Sequence, residues 1–209
     1  NCDWSSDVCS SDLRASPESP RMFESDFIAF FSRIPAMVVP VIFVPIILAL
    51  FGWGVVGAGA SVLASVGVAA VGFFVWTFVE YWLHRTLFHW VPATSWGPRM
   101  HFLLHGVHHD WVSDKYRLVM PPAASLGLGV VFFGLWYLVL GPVWVFPFFA
   151  GHVAGYLAYD MVHYYVHHFK VKNKVLVRLR AHHMNHHHNK EGRKYGVSTT
   201  LWDHVFGTY

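Results

Sequence analysis

Sixteen histidines in 209 residues, beside only two cysteines, fall largely into four groups whose spacing suits metal ligation better than packing. The densest group is AHHMNHHH, residues 181–188. A helix turns 100° per residue, so His183, His186 and His187 share a face and can grip one ion together. His182 and His188 then sit about 100° and 140° off that face and read as outer or solvent groups. HFLLHGVHH repeats the same offsets with His105, His108 and His109, and His101, also on that face, is placed just outside the ligand set. HRTLFH offers His84 and His89, which lie about 140° apart on a regular helix and so need a helix end, or two different metals. YDMVHYYVHH sets His163 and His167 one turn apart, with His168 turned away.

The ten rings are too many for one ion with four to six ligands and suit two ions that keep an open or oxygen-bridged position. Two cations held by neutral imidazoles leave positive charge uncompensated, so carboxylates are expected nearby. Asp160, one turn before His163, Glu80, one turn before His84, and Asp110 are the candidates. The alternative for Glu80 is a helix-end carboxylate reaching water. Three activities fit a histidine-held metal pair in a membrane: redox chemistry, hydrolysis by metal-bound water at two zinc ions, and metal transport. Transport sites lie near the bilayer midplane, whereas most of these histidines cluster beyond the apolar stretches.

The elements that must position these groups are apolar. The chain is 55% hydrophobic and 13% charged, which points to membrane spans rather than a soluble domain. Spans are expected at about 34–51, 61–83, 122–140 and 143–162. Pro35, Pro40 and Pro45 should kink the first, and Gly141–Pro142 should turn the chain between the last two. All fifteen Lys and Arg residues precede Ile34, lie between His84 and Leu118, or follow Phe169. Both termini are then cytoplasmic, and four crossings deliver the histidine groups to that same face. The expected fold is all-α: one integral membrane four-helix domain over residues 34–209, with a cytoplasmic histidine-rich helical cap holding a di-metal site. Residues 1–13, NCDWSSDVCSSDL, resemble a translated adapter sequence and are set aside, and 14–33 form a polar N-terminal segment. Along the fourth span His152, Tyr156 and Tyr159 share the stripe of His163, with His152 about 16 Å deeper. That stripe reads as interhelical bonding beside Gly151 and Gly155, with a channel for an apolar substrate as the alternative. Trp202, His204 and Phe206 read as an interfacial segment packed on the cap.

From Phe78 to Tyr209 the motifs HFLLHGVHHDWVSDKYRLVMPP, HVAGYLAYDMVHYYVHH and RAHHMNHHHNKEGRKYGVSTTLWDHVFGT resemble the fatty acid hydroxylase superfamily of membrane di-metal proteins, most closely its fatty acid 2-hydroxylase branch. The resemblance implies oxygen-dependent hydroxylation at C2 of a fatty acid or of a sphingolipid N-acyl chain, with the same ten histidines as ligands. Hydroxylation or desaturation of a sterol or carotenoid is the alternative within the superfamily. Cleaving an unactivated C–H bond needs a metal that changes oxidation state, so two iron ions are expected, although zinc can fill such a site in purified protein. Relatives in this branch often carry a haem domain of the cytochrome b type, which residues before Ile34 do not provide, so a separate electron-transfer protein is expected. The basic segment 170–180, with Lys190, Arg193 and Lys194, is its candidate dock, anionic lipid headgroups being the competing partner. No nucleic-acid partner is expected.

Overall fold

The computed structural model describes residues 21–188 and 192–209, together with the backbone of two paired two-residue strands, Cys2–Asp3 and Val8–Cys9. The remaining residues of the leader and Lys190 lie outside the described part. All other regular structure described is helical, as expected. A short helix α1 (Asp26–Phe31) precedes α2 (Val38–Gly52), which continues as a π-helical turn over Trp53–Gly57. Of the three prolines expected to kink the first span, Pro35 precedes the helix, Pro40 lies in its first turn, and Pro45 is inside it. The span therefore begins at Val38 rather than Ile34. Helix α3 (Val62–Trp82) starts where the Ser61 hydroxyl accepts the Ala64 N–H at 3.2 Å, and runs into a π-helical segment, Leu83–Phe88. Short helices α4 (Gly97–His101) and α5 (Val107–Asp110) flank another π segment, Phe102–Gly106. Then come α6 (Pro122–His168), α7 (Lys174–His188) and α8 (Leu201–Val205).

Among the described residues three helices are long and apolar enough to cross a membrane: Val38–Gly57, Val62–Phe88 and Pro122–His168. The third is not straight. Gly141 has φ 70° and ψ −179°, outside any helical range, a backbone state that glycine adopts without strain. Ring centroids of Phe133 and Phe149 lie 5.3 Å apart, and those of Trp136 and Phe148 4.8 Å, distances that an unbroken helix forbids for residues twelve or more positions apart. Residues 122–140 therefore fold back antiparallel on residues 142–168. The Gly-Pro turn accomplishes this.

Helix α3 packs chiefly on α6, and the approach is close because the contact is made by small residues. A Cβ on Gly151 would lie 1.8 Å from the Ala69 carbonyl oxygen, and one on Gly72 would lie 2.0 Å from that of Phe148. Gly151→Ala should cost about 1–3 kcal/mol by overpacking, read as a lower melting temperature in detergent; an unchanged melting temperature would show that the helices can part at no cost. The core between α2, α3 and α6 gathers Val39, Phe43, Trp76, Phe149 and Tyr156, and Val197 of the C-terminal segment joins it. Outward, α3 and α6 expose Leu63, Val130 and Leu138 at 84%, 74% and 83%, the pattern of helices whose outer side meets lipid.

Candidate metal centre

Every one of the ten histidines singled out by spacing lies in one of two clusters, built where the ends of two long helices meet the short helices of the cap. His84, His89, His105, His109 and His186 form the first, and His108, His163, His167, His183 and His187 the second; within each, one nitrogen per ring lies within 4.8 Å of all the others. The clusters abut, with the His109 and His187 ring centroids 4.3 Å apart.

The assignment of rings differs from the simple facing argument. Each 0, 3, 4 triad is divided: His183 and His187 enter the second cluster while His186 enters the first, and His105 and His109 enter the first while His108 enters the second. On a helix the offsets 3 and 4 fall about 60° to one side and 40° to the other, so a triad straddles two neighbouring centres rather than gripping one. His84 and His89 share the first cluster, with ring centroids 5.1 Å apart. The wide i→i+5 turn of the Leu83–Phe88 segment supplies the alignment that a regular helix lacks. Two metals are not needed to explain that pair. The two clusters are thus built alike, each from a pair off a long helix, a pair at i,i+4 from a cap helix, and one ring lent by the other cap helix.

Hydrogen bonding cannot account for the convergence. His183 Nε2 faces His163 Nε2 at 2.9 Å, His167 Nε2 at 2.9 Å and His187 Nε2 at 3.0 Å, and one ring nitrogen carries at most one proton. His105 Nε2 similarly faces His84 Nε2 at 3.1 Å and His109 Nε2 at 2.9 Å. Ligands bound at right angles to an ion at about 2.1 Å stand about 3.0 Å apart, so the rings fit transition metals. Burial first, and neighbouring rings second, hold the His105, His108 and His183 imidazoles well below their ordinary pKa, and the same causes bring His89 and His109 down to about 3. At neutral pH these rings are uncharged and present lone pairs.

The groups expected around the ligands make contacts of their own. Glu80 is buried, not at water, and accepts the N–H groups of Val197 and Ser198 at 2.8 Å each, as well as the Ser198 hydroxyl. Asp160 takes the Met120 N–H at 3.4 Å and the Tyr156 hydroxyl at 3.3 Å. His101 belongs to neither cluster, its centroid 6.4 Å from that of His89, and Asp110 is exposed. His182 is buried and bonded to Asp203, whereas His188 is exposed. Spacing did not reveal Asp203. Burial pushes its carboxyl up, but hydrogen bonds from His182, Thr208 and the Gly196 N–H outweigh that and hold it below the usual range. Trp202 and Phe206 pack on α3 rather than on the cap, the Trp202 indole N–H reaching the Thr77 hydroxyl at 3.0 Å, while His204 stacks on Tyr209 with centroids 4.0 Å apart.

A cavity of about 440 Å³ has His105, His108 and His163 in its wall, so both clusters border it. Leu103, Leu118 and Leu128 make its lining apolar, and Arg117 adds a charge, with Nε 3.8 Å from Asp114. Phe88, Met120, Leu128 and Tyr159 also line a second, narrower space between the long helices, whose wall includes His152. His152 packs against Trp76, with centroids 5.1 Å apart, so it both joins α6 to α3 and borders that second space.

The family model for fatty acid hydroxylase matches residues 69–208. The chain belongs to that family. This hydroxylase is 38% identical over 197 residues to the dihydroceramide fatty acyl 2-hydroxylase FAH1 of Arabidopsis thaliana, covering 93% of this chain and 81% of that protein. It is 38% identical to the ceramide very long chain fatty acid hydroxylase SCS7 of Saccharomyces cerevisiae over 82% of this chain and 45% of that one, and 38% identical to human fatty acid 2-hydroxylase over 90% and 56%. The solved structure of full-length scs7p, in which only the hydroxylase domain is visible, superposes with a TM-score of 0.82 at 38% identity, covering 88% of this hydroxylase and 70% of that chain.

Proposed function

We propose that the chain is an oxygen-dependent membrane hydroxylase that installs a hydroxyl at C2 of a fatty acyl chain, free or amide-linked in a sphingolipid. The observation that carries this reading is the placement of two five-imidazole clusters side by side on the wall of one apolar cavity. The ten histidines hold two iron ions, and iron supplies the change of oxidation state that oxygen-dependent C–H cleavage requires and zinc lacks. Uncharged, buried rings keep the ligand lone pairs free of protons at neutral pH. The leucine-lined cavity takes an acyl chain, excludes water from the reacting carbon, and brings that carbon beside His105, His108 and His163. The polar wall formed by Arg117, Tyr159 and Asp160 suits the carbonyl end of the substrate.

The named relatives act on fatty acyl chains or ceramides, which favours this substrate class over sterols and carotenoids. Crossing the membrane at Val38–Gly57, at Val62–Phe88 and twice more through the two arms of α6 makes residues 34–209 one membrane domain, with the clusters and both termini at the cytoplasmic face. Electrons come from a separate protein that docks on the basic stretch Lys170 to Arg180. The test is lipid mass spectrometry of host cells with and without the chain under ¹⁸O₂. Label in a 2-hydroxy acyl group is the expected result, and the reading fails if expressed chain yields no such product or if the hydroxyl oxygen is unlabelled.

A further inference from the structure

The two clusters are alike in their rings and unlike in their support. In the first, His84 Nδ1 lies 2.5 Å from the Tyr195 carbonyl oxygen, and His186 Nδ1 lies 2.7 Å from that of Arg193. Both oxygens belong to one short stretch of the C-terminal segment. In the second, the Nδ1 atoms of His163, His183 and His187 are buried with no hydrogen-bond partner among the described residues, and His167 has the backbone of Val112 beside it. An imidazole that gives its second N–H to a fixed oxygen is held in one tautomer and one orientation. The stretch in question is fixed chiefly by one carboxylate. Asp203 accepts the Tyr195 and Gly196 N–H groups and the Thr208 hydroxyl at 2.8 Å each, and His182 Nε2 at 3.0 Å, while the Lys194 N–H reaches the Thr208 carbonyl at 2.8 Å.

We propose that Asp203 is a positioning residue for the first metal site alone: by clamping residues 194–196 it sets the two carbonyls that aim His84 and His186, and the second site does not depend on it. This rests on the reading of the clusters as two metal sites. Replacement of a group that orients a metal-bound histidine weakens binding about 10–100-fold. Asp203→Asn should therefore weaken one of two equivalents by that factor and leave the other unchanged.

The experiment measures bound metal per purified full-length chain against buffered free Zn²⁺, with circular dichroism as the check on folding. Wild type should take up two equivalents. Adding Asp203→Asn to His163→Ala, which disables the second site, should weaken the ion that remains, whereas adding it to His84→Ala should change nothing. Equal weakening of both equivalents, no weakening of either, or loss in the His84→Ala background would overturn the proposal while leaving the two-metal reading intact. A folded wild-type chain that binds no ion would overturn both. If Asp203→Asn fails to fold, Thr208→Val removes one of the four donors and should weaken the same single equivalent about threefold; an even or absent effect there overturns the proposal as well.

Discussion

His183→Ala is expected to leave hydroxylation at least about 100-fold below wild type, because removing a ligand should exceed the loss seen when only a ligand's outer partner is removed. His183 is the hub of the second cluster. Its Nε2 faces three other ring nitrogens at 2.9–3.0 Å, and the residue is fully buried on the inner side of α7. Its loss takes one of five rings from the second cluster, while the first cluster retains all five. His188→Ala, five residues on along the same helix but exposed, should stay within a few-fold of wild type. The measurement is 2-hydroxy acyl product per chain by mass spectrometry, with metal content determined in parallel. A His183→Ala chain of near-normal activity would remove this ring from the working centre.

The pair also shows how far sequence reasoning carries. Helical offset was enough to set His168, His182 and His188 apart from the ten clustered rings, whereas His101 shares its triad's face and His152 the stripe of His163, so only the lack of a matching ring in the other triad and its depth in the span set those two aside. The division of each triad between two clusters was not legible, since a 100° repeat says which rings are neighbours and not how many centres they face. The union of His84 and His89 depends on a π turn, for which the LHRTLF segment carries no clear mark. The turn at Gly141 was readable from Gly-Pro alone. Asp203 was hidden for a different reason: two of its four donors are backbone N–H groups, which every residue but proline possesses, so no side-chain pattern announces them.

Glu80→Ala should lower stability by about 2–4 kcal/mol, about 1–3 kcal/mol for the buried Val197 N–H left without an acceptor and about 1 kcal/mol for the bond lost by the part-buried Ser198 N–H. Val197 is 1% exposed, so water cannot replace the lost oxygen there, whereas Ser198 is only part-buried. In a chain of this size the melting temperature in detergent should fall by roughly 10 °C. Glu80→Gln separates this role from the one its place in the sequence first indicates, that of a carboxylate offsetting metal charge. Glutamine keeps an oxygen where Oε1 accepts both N–H groups, and its amide nitrogen can donate to the Ser198 hydroxyl, so the tether between α3 and the C-terminal segment survives while the negative charge is lost. If Glu80 acts as a tether, Glu80→Gln melts close to wild type and keeps its metal. If it acts as a counter-charge, Glu80→Gln loses metal although its melting temperature holds. The 2.8 Å bonds to Val197 and Ser198 favour the first outcome, because a carboxylate whose oxygens are already taken by three donors has little freedom to turn toward an ion.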